Sequence, residues 1–170
     1  MGIIVFAFGM GGALANFAGL LHMTMHSLTK SAIFFAVGHI AQVKGTQKIA
    51  DMGGLTASNP VLGWGLVLGV VAIAGLPPLG IFMSEFLVVS STFARQPWLA
   101  VILVLGILVA LGGLFLRLNT IAFGKVHGPV QRSDASYVPM LVHFAIVFTA
   151  GIYMPPALVL GFENVAKLLG

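Results

Sequence analysis

Long apolar runs separated by short polar stretches dominate this chain. A helix rises 1.5 Å per residue and needs about 20 mostly apolar residues to cross ~30 Å of hydrocarbon. Five stretches reach that length: residues 3–21, 22–43, 60–93, 98–118 (continuing to 123) and 137–160. The first two abut at Leu21/His22 with almost no turn between them, so they also fit one long kinked helix. The third is too long for one simple span and contains Ala74-Gly75-Leu76-Pro77-Pro78-Leu79-Gly80. Two adjacent prolines remove two backbone donors and clash with the preceding turn, so the helix is expected to stop and restart there. Freed backbone groups at membrane depth are tolerated inside protein or beside a watered cavity, as in the broken helices of transporters. A plain proline kink without function is the competing account. The predicted fold class is an all-α membrane protein, a single transmembrane domain over residues 1–170. It has about five transmembrane helices, one of them broken at Pro77-Pro78.

Composition changes this picture by naming the solvent. The chain has 170 residues, 59% hydrophobic and 7% charged, with mean hydropathy +1.08. Soluble domains carry about a quarter charged residues, so too few charges are present to cover a water-soluble globule. The net charge of +4 does not form a basic stripe with interleaved aromatics, so nucleic acid is not an expected partner; the lipid bilayer is. With five spans, Lys44, Lys48, Lys125 and Arg132 share one side, against Arg95 and Lys167 on the other. The positive-inside rule then puts the N-terminus in the cytoplasm and the C-terminus outside, in a multi-pass inner (plasma) membrane protein. With no cysteine there is no disulfide framework, thiolate metal site or thiol nucleophile. Gly9, Gly11 and Gly12 in the first span and Gly106, Gly112 and Gly113 in the fourth are expected to let helices approach closely.

Ionisable residues inside apolar runs carry the candidate chemistry. His22, His26 and Lys30 recur at four-residue spacing, which makes one shallow spiral stripe on a helix. A lysine inside a span costs about 2.5–3.5 kcal/mol on insertion scales, a cost usually retained for a partner or a pathway. Histidine changes charge near neutral pH, so the stripe suits proton relay, with Thr24, Ser27 and Thr29 offering hydroxyls that could hold water. Two interface histidines and one snorkelling lysine are the plainer account. Zinc on His22 and His26 lacks an acid or cysteine nearby, and no metal or other cofactor is expected. His39 lies nine residues past Lys30, roughly 180° around the helix, and must face another neighbour as a weaker candidate. Glu85 is the one carboxylate within a predicted span and follows the Pro77-Pro78 break directly. Beside a watered break and a cation it could change protonation state; alternatively it is a permanently neutral or paired structural acid. His143 is expected to be structural or interfacial, and Asp51, Asp134 and Glu163 to lie solvated at or beyond helix ends. No phosphate loop, nucleophile–base pair or carboxylate pair supports enzymatic chemistry within the chain.

Three motifs in order then point to a family: His22-x3-His26-x3-Lys30-Ser-Ala-Ile-Phe-Phe-Ala-Val-Gly-His39, Asp51-Met-Gly-Gly-Leu, and Ala74-Gly-Leu-Pro-Pro-Leu-Gly-Ile-Phe-Met-Ser-Glu85-Phe. Together they resemble the antiporter-like membrane subunits of respiratory complex I and related complexes, nearest the branch found in hydrogenase-4 and formate hydrogenlyase. The motifs cover about residues 20–90. The resemblance implies proton (or proton/sodium) translocation in an energy-converting oxidoreductase whose redox chemistry resides in partner subunits, both membrane and peripheral. Members have fourteen helices in two inverted repeats plus flanking helices, and this chain would match the tenth to fourteenth. By position, Glu85 matches the ionisable residue after the broken twelfth helix at the proton exit, while Lys30, His22 and His26 match the polar stripe of the eleventh. The first repeat has no counterpart, so the resemblance implies a partial chain working with a separately encoded N-terminal half, or a truncated and inactive one. A cation/proton antiporter or carbon-uptake subunit without a redox partner is the alternative from the same family.

Overall fold

The computed structural model describes residues 1–126 and 136–170; Arg132 and Asp134 lie outside the described residues. Eight α-helices and no strand are found among them: α1 (Gly2–Met10), α2 (Ala13–Lys44), α3 (Leu55–Ser58), α4 (Pro60–Ile73), α5 (Gly80–Arg95), α6 (Pro97–Phe123), α7 (Val138–Ile152) and α8 (Pro156–Leu168). Prolines stand at the first turn of α4, α6, α7 and α8, where a missing N–H costs nothing. At the start of α4 the Asn59 side chain also accepts from the Leu62 N–H.

The 32-residue α2 is the axis of the bundle, with α1, α4, α5, α7 and α8 all packed on it. It runs unbroken through Leu21/His22, where the sequence fitted either two abutting spans or one long helix. The interruption lies earlier, at Gly11 and Gly12, whose φ of 64° and 82° side chains rarely adopt. Nothing near His22 disfavours helix, whereas two consecutive positive-φ residues end one outright. Alone, the nine residues of α1 are about 14 Å long, short of a full crossing.

The break expected at Pro77-Pro78 is present, with residues 74–79 non-helical between α4 and α5 and the Pro77–Pro78 peptide bond cis. A second break was not expected. The stretch read as one span over 137–160 is two helices bent by 78°, interrupted at Tyr153-Met154-Pro155. The reason is the same, since Pro155 and Pro156 supply no backbone donors and Pro156 restarts a helix rather than continuing one. By length and composition α6 can cross a bilayer alone, and α7 with α8 passes that test only as a bent pair. Only 6% of the apolar window of α6 is buried, so its flank is left to lipid or to other helices.

Small residues work where helices touch, though not at all the expected places. Gly106, Gly112 and Gly113 face open space on α6. Close approach occurs at Gly65 under Met140, Gly69 under Ile33, and Gly80 under Met25. A Cβ at Gly151 would overlap the Pro78 carbonyl and meet the Leu79–Gly80 backbone, so the second break is seated against the first. At one end of the bundle, Gly54 abuts Gly124 and Val126, and the Thr56 hydroxyl donates to the Ala122 carbonyl at 2.7 Å. At the opposite end the Arg95 guanidinium donates to the Met10 and Gly11 carbonyls, and the Gly12 N–H donates to the Gly170 carbonyl at 3.0 Å. Residues 44–56 and 122–126 thus share one end, and Arg95 and the last turn of α8 the other.

Candidate functional site

α2 and α5 lie side by side, which sets the histidine stripe beside the helix that follows the first break. His22 is buried, 2% exposed, and its Nδ1 lies 2.9 Å from the Ser84 Oγ of α5. One turn on, the His26 ring stacks on it with centroids 5.6 Å apart and planes inclined by 28°. Glu85, the next residue of α5, is half-buried. His22, His26 and Glu85 line one crevice of about 450 Å³, with Ile73 and Ala74 at the end of α4, the start of α1, and α6 as its apolar wall. The crevice therefore holds three ionisable side chains beside interrupted backbone.

The carboxyl of Glu85 is placed by the break itself. Gly75 adopts φ 68°, and a Cβ there would overlap the Glu85 carboxylate. Both the backbone conformation and the space thus require glycine. The prolines act on the chain rather than in the crevice: Pro77 and Pro78 are exposed, and neither lines it.

Lys30 stands apart from this group. It is exposed on α2, its ammonium 5.7 Å from the centroid of the Phe34 ring, and it lines a second crevice of about 490 Å³ with Met1, His26, Ser27 and Phe34. His26 and Met1 line both crevices, and of the two His26 has the ionisable side chain between Lys30 and the His22–Glu85 side. The hydroxyls expected to hold water between these groups turn back on their own helix. Thr24 donates to Leu20, Ser27 to Met23 and Thr29 to Met25, at 2.8–3.0 Å. This is the usual resting place of a hydroxyl inside a helix.

His39 faces another neighbour, as its position around the helix requires, with its ring edge-on to Tyr137 at 5.5 Å. It is no part of the crevice. His143 Nδ1 lies 2.7 Å from the Pro139 carbonyl; a carbonyl only accepts, so Nδ1 donates and carries the proton. Its ring packs on Phe35 at 5.5 Å. Asp51 is exposed in the loop after α2, whereas Glu163 sits within α8 rather than beyond a helix end, and is exposed there. Sequence reasoning passed over Ser84 and Gly75. Both stood within the quoted motif, but their partners are fixed only by the tertiary fold.

Residues 1–112 match the profile of the family described as NADH:quinone oxidoreductase/Mrp antiporter, transmembrane. The chain belongs to that family. It is 63% identical over 169 residues to the hydrogenase-4 component F homolog of Methylacidiphilum infernorum, covering 99% of this chain and 36% of that protein. Its fold matches a chain of respiratory complex I from Thermus thermophilus with TM-score 0.85 and 23% identity, covering 99% of this chain and 37% of the other. It also matches a chain of the Mrp complex from Dietzia sp., with TM-score 0.81 and 16% identity, covering 98% and 39%. The chain thus spans little more than a third of these relatives. The family is described as transmembrane, so membership makes this chain a membrane protein of the antiporter-like kind.

Proposed function

We propose that this chain forms part of a proton (or proton/sodium) pathway in the membrane arm of an energy-converting hydrogenase or quinone oxidoreductase complex. The observation that carries this reading is the shared crevice: His22, His26 and Glu85 meet at the break between α4 and α5. Each can hold or release a proton, and all three open on the same space. His26 also borders the crevice of Lys30, which supplies a cation one step further along the stripe. A proton path needs ionisable groups in sequence within a low-dielectric bundle, and this arrangement supplies them.

The partners in this reading are the other membrane and peripheral subunits of such a complex, where redox chemistry takes place. The remaining two thirds of the relatives' length, on the same or a separate polypeptide, provide the first half of the pathway. Orientation follows from the bundle ends. Lys44, Lys48 and Lys125 belong to the end where Gly54 meets Gly124, which faces the cytoplasm. Arg95, Lys167 and the C-terminus face outward. Met1 lines the crevice beside His26 and Lys30, and α1 runs from there toward the Arg95 end.

Glu85→Gln and Lys30→Met, each in the assembled complex in inverted vesicles, test the reading. Substrate-driven proton uptake is expected to fall in both while membrane insertion stays intact. Normal uptake in Glu85→Gln overturns the site. The family unites redox-linked subunits with antiporters, so the same vesicles serve for the second reading. Cation/proton exchange driven by an imposed gradient without redox substrate favours an antiporter.

A further inference from the structure

The His22–Ser84 contact decides more than the position of a ring. Ser84 is fully buried on α5 and its Oγ makes two close contacts, 2.7 Å to the Ile81 carbonyl and 2.9 Å to His22 Nδ1. A serine hydroxyl has one proton and two lone pairs. The carbonyl can only accept, so the proton of Ser84 is committed to Ile81. Toward His22 the oxygen offers a lone pair, and Nδ1 must be the donor. On the neutral ring Nε2 is then the unprotonated nitrogen.

We propose that Ser84 is a positioning residue that holds His22 as its Nδ1–H tautomer, so that His22 takes up and releases protons through Nε2 alone. This rests on the proton-pathway reading for its meaning in transport, but the tautomer itself does not depend on that reading. In the neutral ring, Nε2 accepts one proton to give the imidazolium and the same nitrogen gives it up. A proton cannot pass through the ring from Nε2 to Nδ1 and onward, because Ser84 has no free acceptor beyond it; its own proton already ends on the Ile81 carbonyl. Ser84 closes the route on the α5 side and confines traffic to the crevice that His22 shares with His26 and Glu85. Without that contact the ring favours Nε2–H, which would offer the crevice an N–H in place of a lone pair and would stall a relay that needs an acceptor there.

The test uses the chain labelled with 15N-histidine, in membranes carrying the assembled complex, with His22 resonances assigned by their loss in His22→Gln. Neutral His22 is expected to show the nitrogen pattern of the Nδ1–H tautomer. Ser84→Thr keeps a hydroxyl and is expected to keep that pattern, whereas Ser84→Ala is expected to convert it to Nε2–H. His143 serves as an internal control, because its Nδ1 donates to the Pro139 carbonyl in every variant and its pattern reports an intact fold. An Nε2–H pattern for neutral His22 in the unsubstituted chain overturns the proposal, whatever the variants do. So does Ser84→Ala with the original tautomer and an unmoved His143. Proton uptake separates the two claims: unchanged uptake in His22→Gln removes the pathway reading and leaves the tautomer result standing. Loss of uptake in Ser84→Ala with recovery in Ser84→Thr supports both.

Discussion

The chain contains the same eight-residue offset twice. Pro77-Pro78 is followed by Glu85, and Pro155-Pro156 by Glu163, with each glutamate eight residues past the first proline. Both pairs interrupt a helix. Crevices border both, but the one at the first break gathers His22, His26 and Glu85. The one beside Tyr153 and Pro155 has no ionisable lining other than Tyr153, and Glu163 lines a separate one with Lys167. Before Pro77 stands Gly75 at φ 68°, which leaves room for the Glu85 carboxylate to lie against the interruption; the matching position before Pro155 is Tyr153, extended at φ −142°. Before Glu85 stands Ser84, bonded to His22; before Glu163 stands Phe162, edge-on to Phe17 at 6.1 Å. A pair of prolines is therefore enough to break a helix, but the small and polar residues around it decide whether the break holds chemistry.

The sharpest way to break this comparison is to neutralise both acids. Glu85→Gln is expected to lower proton uptake about a hundredfold or more, the scale of losing a placed proton-transfer group. Glu163→Gln is expected to leave uptake unchanged. Equal losses in the two variants would show that the offset itself, and not its surroundings, marks the site. A smaller effect is expected from Gly75→Ala, whose Cβ must displace the Glu85 carboxylate. The left-handed backbone costs a further ~1–2 kcal/mol for a residue with a side chain. Uptake should fall about tenfold, as roughly 1.4 kcal/mol of misplacement gives. Tyr153→Ala, the equivalent change at the second break, should not alter it.

The two breaks are not independent, and Gly151 is where they meet. Gly151→Ala forces a methyl group into the Pro78 carbonyl and the Leu79–Gly80 backbone. Backbone yields less readily than a flexible side chain, so the cost should sit at the upper end of the ~1–3 kcal/mol typical of overpacking. Thermal unfolding in detergent is expected at a lower temperature, with partial loss of uptake because α5 is shifted relative to α2. An unchanged unfolding temperature would mean that the breaks move apart without penalty.

Legibility in the sequence followed the kind of signal each residue carries. Pro77-Pro78 and Glu85 announce themselves, because a donorless pair and a lone acid are costly in an apolar run wherever they sit. The His22–His26 stacking follows from four-residue spacing on one helix. Pro155-Pro156 carried the same signal as Pro77-Pro78, but the apolar run around it has the length of one span, which favoured reading it as unbroken. Gly11-Gly12 reads as packing or as a break with equal ease; only the backbone angles separate the two. The His22–Ser84 bond joins residues 62 positions apart. No local pattern encodes it, because it exists only once α5 lies on α2. The hydroxyls of Thr24, Ser27 and Thr29 show the reverse error, since polar residues beside a site found their partners within their own helix.

The smallest predicted effect tests whether the second break is passive. Phe162 packs its edge on Phe17 and joins the apolar group of Leu21, Met25 and Ile81 behind the histidine stripe. Phe162→Leu keeps an apolar side chain but loses the aromatic pair, worth about 0.5–1.5 kcal/mol beyond its area. If α8 only covers the bundle, unfolding should shift slightly and proton uptake should not change. That outcome would separate Phe162 from Gly151, though both lie at the same break. Gly151 touches the backbone that positions Glu85, whereas Phe162 touches side chains that can repack. A drop in uptake matching that of Gly151→Ala would instead mean that α8 helps set the position of α2, and so of His22, making the second break a working part of the site.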